Sequence, residues 1–264
     1  MSEGAMSADS VTRVDSAAAQ AGAPLVEMRD IRIAFGGVHA VDDCSLNVEE
    51  GSITALIGPN GSGKTTLFNL ITGYLKADGG EFRFRGRDVT GSDPGALYRQ
   101  GLTRTFQQAR VFPHMSVTEN LVVAGAYRWR DLLVPRVLGR DRSRADALLE
   151  EFRMTHVAEL PASELSYGQR KLLEFAAVLM SEPRLVLLDE PTAGVNPVMI
   201  DTMERHIRER HAAGVTFLVV EHDMQFVMRL CDPVVVLDNG KEIFSGPPTE
   251  VQQNPLVLDA YLGT

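Results

Sequence analysis

The spacing of apolar positions changes character twice along the chain. Over Leu25–Phe35 apolar and polar residues alternate patchily, and Glu81–Arg85 alternates again. Between them, Ser52–Ile57 is a short apolar run that ends at Gly-Pro-Asn-Gly. This pattern predicts a β-rich portion interrupted by one helix beginning near Lys64. From roughly 108 to 182 the spacing becomes helical: Ser116–Tyr127 and Ser143–Phe152 predict two helices, and Ser166–Met180 a longer one. Short apolar runs then return at Leu185–Leu188, Val215–Val220 and Val234–Leu237, each flanked by helical segments. Runs apolar on both faces and separated by helices predict a parallel sheet covered on both sides. The expected fold is an α/β core with a helical insertion. Residues 1–23 are rich in Ala, Ser, Gly and acidic side chains and hold almost no large apolar one. Such a segment cannot bury enough surface to offset its ordering entropy, so a disordered tail is expected there, with the folded domain over residues 24–264.

Composition narrows the function classes. With 35 acidic against 26 basic side chains the formal charge is −9, a balance that argues against nucleic acid as the main partner. The only two cysteines, Cys44 and Cys231, are far apart in sequence and have no Cys or His at ligand spacing. That excludes a structural zinc motif and suits a reducing cytoplasm. No apolar run approaches the roughly 20 residues that cross a bilayer, and the N-terminus lacks the basic-then-apolar order of a signal peptide. The expectation is a soluble, acidic, intracellular protein. One segment runs against the charge balance. Residues 128–144 carry six arginines with Trp129, Leu132 and Leu133 interleaved, which points to a surface near membrane subunits or anionic headgroups, or else to a solvated helix face.

Three motifs carry chemistry. Gly58-Pro59-Asn60-Gly61-Ser62-Gly63-Lys64-Thr65, followed by Thr66, matches G-x-x-x-x-G-K-[S/T] between a predicted strand and a predicted helix. Its glycines let backbone N–H groups turn inward around phosphate oxygens, and the helix N-terminus adds a favourable dipole. Lys64 would reach the β- and γ-phosphates and Thr65 would place its hydroxyl on Mg²⁺, so ATP and Mg²⁺ are the expected ligands. The second motif, Leu185-Val-Leu-Leu-Asp189-Glu190-Pro191, is an apolar strand ending in two acids. Asp189 suits a carboxylate that holds Mg²⁺. Glu190, one position on, would point to the opposite side of an extended chain and polarise an attacking water as general base. The third, Leu165-Ser166-Tyr167-Gly168-Gln169-Arg170, opens the long helix, with Ser166 as its N-cap and Gly168 permitting close approach of a backbone or ligand.

A phosphate loop, a segment of the L-S-G-G-Q form and an Asp-Glu strand end, in this order, resemble the ATP-binding subunits of ABC transporters. The resemblance spans the chain from about Leu25 to the C-terminus and implies the P-loop ABC ATPase fold: a parallel sheet, an antiparallel β portion and a helical subdomain at about 108–182. It implies that Phe35 stacks on adenine, that Gln107 in Arg-Thr-Phe-Gln touches Mg²⁺, with its neighbour Gln108 ranked lower, and that His222 contacts the γ-phosphate. It further implies that Ser166, Gly168 and Gln169 complete the site of a second subunit. Two positions depart from the family pattern. Tyr167 stands where the first Gly of the signature is usual, and Asn196 stands where an aspartate is common. Phe35-Gly-Gly-Val-His-Ala-Val, Arg104-Thr-Phe-Gln, Ala193-Gly-Val-Asn-Pro and the ending Asn254-Pro-Leu-Val-Leu-Asp-Ala-Tyr-Leu-Gly are similar to one subgroup, the ATP-binding subunits of branched-chain amino acid importers. The implied partners are a second ATPase subunit, identical or related, two integral membrane permease subunits and, indirectly, an extracytoplasmic solute-binding protein. The implied place is the cytoplasmic face of the inner membrane. An ATPase of a lipid or lipopolysaccharide exporter, or a soluble ABC ATPase, shares the core motifs and stays open as an alternative.

Overall fold

The computed structural model describes residues 23–105, 111–125 and 135–262, and the tail at 1–22, Gln107, Gln108, Arg128 and Arg130 lie outside them. Strand β1 (Val26–Phe35) pairs antiparallel with β2 (Val38–Val48) and with β4 (Gly79–Phe84), and β4 pairs in turn with the two-residue β5 (Arg87–Asp88). Register shifts between Met28 and Ile31 and again between Ile31 and Ile33, with Asp30 at φ +49°, break the inward–outward alternation of β1. They explain why the sequence alternates only patchily there.

The second sheet has six strands in the order β10 (Lys241–Gly246), β9 (Val234–Asp238), β3 (Ile53–Ile57), β8 (Thr216–Val220), β7 (Leu185–Asp189) and β6 (Leu102–Arg104). All neighbours are parallel except β10 on β9. The predicted apolar runs are its central strands, and each divides its side chains between two cores. Ile57, Val186, Leu188, Phe217 and Val219 face one core with α3 (Val117–Gly125), α4 (Pro135–Glu151), α5 (Tyr167–Leu179), α6 (Pro197–Ala212) and α7 (Met224–Leu230). Leu56, Leu185, Leu187, Leu218 and Val220 face the other. That second face is covered not by a further layer of helices but by α1 (Lys64–Ile71), through Leu67, Phe68 and Ile71, and by the antiparallel sheet, through Met28, Leu46, Phe82 and Phe84.

Helices α3, α4 and α5 fill the predicted insertion. The first helical residue of α4 is Pro135, well before the expected Ser143, because its first two turns, Pro-Arg-Val-Leu-Gly-Arg-Asp, contain Pro and Gly and offer only Val137 and Leu138 as apolar positions. Short helices α2 (Pro94–Arg99), α8 (Pro248–Val251) and α9 (Pro255–Leu262) complete the described chain. Among the described residues no helix is long and apolar enough to cross a membrane. Cys44 and Cys231 are both buried, and burial pushes their thiols up to about 12, so neither is a ready nucleophile.

Candidate functional site

The carboxyl ends of β3, β7 and β8 lie side by side, and the loops that leave them carry most of the expected chemistry. After β3 the chain turns at Gly58, whose φ of +152° and close approach to β9 admit no side chain: a Cβ would collide with the Leu237 carbonyl. Gly63, at φ +99°, is the N-cap of α1, and a Cβ there would collide with the carbonyl of Ala40. Among the described residues no side chain caps α1, which leaves its first N–H groups to be satisfied by a ligand. Lys64 is buried and donates through Nζ to the carbonyls of Gly58 and Pro59, 2.8 Å each. Burial holds its pKa below the ordinary lysine value, and the neighbouring Glu190 charge opposes that shift. Thr65 is exposed on the first turn of α1 and Thr66 half-buried, while the Ser62 hydroxyl is buried with no hydrogen-bond partner among the described residues. The Gly240 N–H donates to the Ser62 carbonyl at 3.0 Å, fastening the turn after β9 to the loop.

At the end of β7, Asp189 is buried. Burial pushes its carboxyl above the usual range, and Arg104, with Nη2 3.2 Å from Oδ2, opposes the shift. Its own N–H donates to the Thr105 hydroxyl at 3.1 Å. Strand alternation does not set the direction of Glu190: it has left β7 and sits at φ +47°, a left-handed position that costs a non-glycine residue about 1–3 kcal/mol. Its N–H donates to the Val220 carbonyl at 2.9 Å, and its Oε1 lies 3.2 Å from His222 Nε2. The strained backbone thus aims the carboxylate at the histidine beyond β8. Lys64, the adjacent Asp189 and Glu190, and His222 come from three separate stretches of sequence and share one rim. Phe35 is exposed at the end of β1 beside Gly36 and Gly37, and Gln107 lies outside the described residues.

The segment Ser166–Gln169 is built differently. Ser166 accepts from the Gln169 N–H at 3.3 Å and the Gln169 side chain accepts from the Ser166 N–H at 2.9 Å, a complete capping box. Gly168 does make a close approach, to the Met199 side chain, which a Cβ would meet at 3.0 Å. Tyr167 packs on Gly194 and donates to the Ala193 carbonyl at 3.2 Å, so the departure from the usual glycine ties this segment to the loop after Glu190. Asn196 caps α6 by accepting from the Met199 N–H at 2.9 Å, a task that needs no charge. In α4, Arg140 pairs with Asp141, Arg142 with Glu159 and Asp146, and Arg144 with Glu182. Arg140, Arg142 and Arg144 of the basic segment are therefore engaged within the chain.

Two residues escaped the sequence reading. Glu221 is buried behind the rim; Oε1 accepts from the N–H and hydroxyl of Thr192 at 2.8 and 2.7 Å, and Oε2 from the N–H groups of His222 and Asp223 at 2.8 and 3.2 Å. It joins the loop after Glu190 to the loop carrying His222. The available signal was an acid directly following an apolar run. Tyr261 of α9 is the other: burial raises its pKa, and a hydrogen bond from the Gly58 N–H to its hydroxyl opposes the shift. It lies in the Asn254–Gly263 ending, whose resemblance to the importer subgroup assigns it no role in the site.

The ABC transporter family model matches residues 41–193, and the branched-chain amino acid ATP-binding cassette transporter model matches residues 241–264. The chain is 39% identical over 253 residues to the high-affinity branched-chain amino acid transport ATP-binding protein BraF of Pseudomonas aeruginosa, covering 91% of this chain and 98% of that protein. It is 38% identical over 250 residues to LivG of Salmonella typhimurium, a protein of the same description, covering 91% and 98%. Among solved structures, the ADP conformation of an ATP-binding cassette of an ABC transporter superposes with a TM-score of 0.81 at 34% identity, covering 92% of this chain and 100% of that one.

Proposed function

The chain belongs to the ABC transporter ATP-binding proteins, in the branched-chain amino acid transport group, and from this premise we propose how its residues divide the work of ATP hydrolysis. It is the ATP-hydrolysing subunit of a branched-chain amino acid importer. The observation that carries the assignment of roles is the shared rim of Lys64, Asp189, Glu190 and His222 behind an uncapped, glycine-lined helix start. The loop Gly58–Thr66 cradles the phosphates through its N–H groups, and Lys64 exchanges the two loop carbonyls for phosphate oxygens. Phe35, exposed at the end of β1, supplies the ring that stacks on adenine. Glu190 takes the proton of the attacking water as general base, and His222 orients that carboxylate and supports the γ-phosphate.

The donor set also fits Mg²⁺. Thr65 and Asp189 offer oxygen atoms alone, which a hard cation prefers, and Gln107 would add a third. When bound, Mg²⁺ would neutralise charge on the β- and γ-phosphate oxygens. Ser166, Gly168 and Gln169 serve the nucleotide of a second ATPase subunit, closing two ATP molecules between two chains. Contacts with the γ-phosphate favour the closed pair, and hydrolysis releases it. Two permease subunits supply the membrane passage, a binding protein delivers the solute, and the chain sits on the cytoplasmic face of the membrane. The C-terminal match at residues 241–264 supports import of amino acids over export of lipid. Copurification with two small-solute permeases, and ATPase activity stimulated by a leucine-loaded binding protein, are the expected results. Copurification with ribosomes or DNA instead would overturn this reading.

A further inference from the structure

On the reading that Asp189 holds the divalent ion, we infer that Arg104 is a positioning residue of the nucleotide site, fixing the Asp189 carboxylate against the helix that carries Thr65. Arg104 ends β6, in register with Leu187 of β7, two residues before Asp189. Its guanidinium is shared between β7 and α1. Nη2 lies 3.2 Å from Asp189 Oδ2, while Nη1 donates to Asn69 Oδ1 at 2.7 Å and Thr72 Oγ1 at 3.0 Å, the first in α1 and the second its C-cap. Nε donates to the Thr105 carbonyl at 3.2 Å, and the Thr105 hydroxyl in turn receives the Asp189 N–H.

The fork is also held in place from its faces. The guanidinium carbon stands 4.7 Å from the centroid of the buried Phe68 ring and 5.3 Å from that of Tyr74. The Arg104 and Asp189 side chains are only 10% and 11% exposed, so water screens the pair little. An ion pair serving stability alone needs one cation beside one anion. Here the same guanidinium joins the strand end bearing Asp189 to the helix whose first turn bears Thr65, the two oxygen donors that must stand at fixed distances from one ion. A lysine ammonium has no planar fork and cannot reach both sides with matched geometry.

The test is a titration of trinitrophenyl-ATP against the full chain, once in EDTA and once in Mn²⁺, with folding checked by thermal unfolding. The wild-type chain is expected to bind more tightly in Mn²⁺, and equal binding in both would overturn the inference. Arg104→Met is expected to lose about tenfold of that gain while binding in EDTA stays within about twofold, as for residues that orient a metal ligand. Arg104→Lys restores less than half of the loss. The pair Asn69→Leu with Thr72→Val keeps both charges but cuts the tie to α1, and loses about threefold of the gain; it carries the test if Arg104→Met does not fold. An unchanged Mn²⁺ gain in the folded variants overturns the inference, as do equal losses in EDTA and Mn²⁺, the mark of a merely structural residue. Asp189→Asn separates the two levels. If it keeps the wild-type gain, the metal role of Asp189 fails and the inference with it; if it loses the gain while the Arg104 variants keep it, only the inference fails.

Discussion

Two helices of this molecule begin on segments of similar composition, small residues and a hydroxyl followed by a polar turn, yet their N-termini are finished in opposite ways. Helix α1 starts at Gly63 in a left-handed conformation, with no side chain on its first N–H groups and a buried lysine beside them. Helix α5 starts at Ser166, extended, with a reciprocal capping box that satisfies its own donors. The first start leaves its donors and dipole for a ligand; the second is complete without one. The charged groups follow the same division. Lys64, Asp189, Glu190 and His222 gather at the first, whereas the second presents Ser166, Tyr167, Gly168 and Gln169, none of them charged. On the proposed function, the first is the reactive half-site and the second the contact half-site, a division that suits a site shared between two subunits.

The largest expected effect breaks only the reactive half. Glu190→Gln keeps the shape of the side chain and removes the base, so hydrolysis should fall by roughly a hundredfold to a thousandfold while ATP binding is retained. The dimer should then accumulate with ATP, seen by size-exclusion chromatography. Parental hydrolysis by this variant would remove Glu190 from the base role.

Gly58→Ala tests why α1 needs its glycines. The added Cβ meets the Leu237 carbonyl of β9, a backbone atom that cannot swing aside. A cost of about 1–3 kcal/mol in unfolding free energy is expected, together with loss of nucleotide binding, because the loop can relax only by moving its N–H groups. Calorimetry of the variant with and without ATP checks both. An unaltered affinity would mean that the cradle is not made by this turn.

Much of this division is legible in the sequence. The central strands announce themselves because they are buried on both faces, so Leu185–Leu188, Val215–Val220 and Val234–Leu237 stand out as continuous apolar runs and become β7, β8 and β9. The cap at Ser166 is visible because capping depends on the residues within one turn. What is not legible depends on partners distant in sequence. Strand β2 runs over Val38–Val48 through His39, Asp42 and Asp43 with a bulged register, so no clean alternation marks it, and β6 is three residues long. Glu221 reads as one more acid after a strand until Thr192 is placed against it, 29 residues back along the chain. Arg104 belongs to the Arg-Thr-Phe-Gln motif, but its meaning rests on Asp189, 85 residues away. The left-handed backbone of Glu190 likewise comes with a hydrogen bond to the Val220 carbonyl, on a different strand, that no local pattern announces.

Glu221 sharpens the comparison from behind the reactive rim. Replacing it with Ala leaves the N–H and hydroxyl of Thr192 and the N–H groups of His222 and Asp223 without their acceptor, in a buried place. A loss of about 2–3 kcal/mol is expected from the stranded donors. The rate of hydrolysis should fall more than ATP affinity, because the loops of Glu190 and His222 lose their common anchor while the phosphate cradle does not. Denaturant unfolding and steady-state kinetics measure the two effects. A fall in affinity as large as the fall in rate would show that this carboxylate supports the cradle instead.

The smallest effect belongs to the contact half. Ser166→Ala removes one acceptor from the capping box, at an exposed position, and should lower stability by about 1 kcal/mol. In an isolated chain ATP affinity should not change, because Ser166 bonds only within the first turn of α5 and the local phosphate loop does not use it. The expected deficit appears only where two chains meet, as weaker ATP-dependent dimerisation of the Glu190→Gln background. Ser166→Gly separates the causes: glycine caps helices only a few tenths of a kcal/mol less well, so it should recover most of the stability. If it also recovered dimerisation, Ser166 would matter as a cap alone and the contact role would fall to the neighbouring N–H groups. If stability returns while dimerisation stays impaired, the hydroxyl itself reaches across to the second nucleotide.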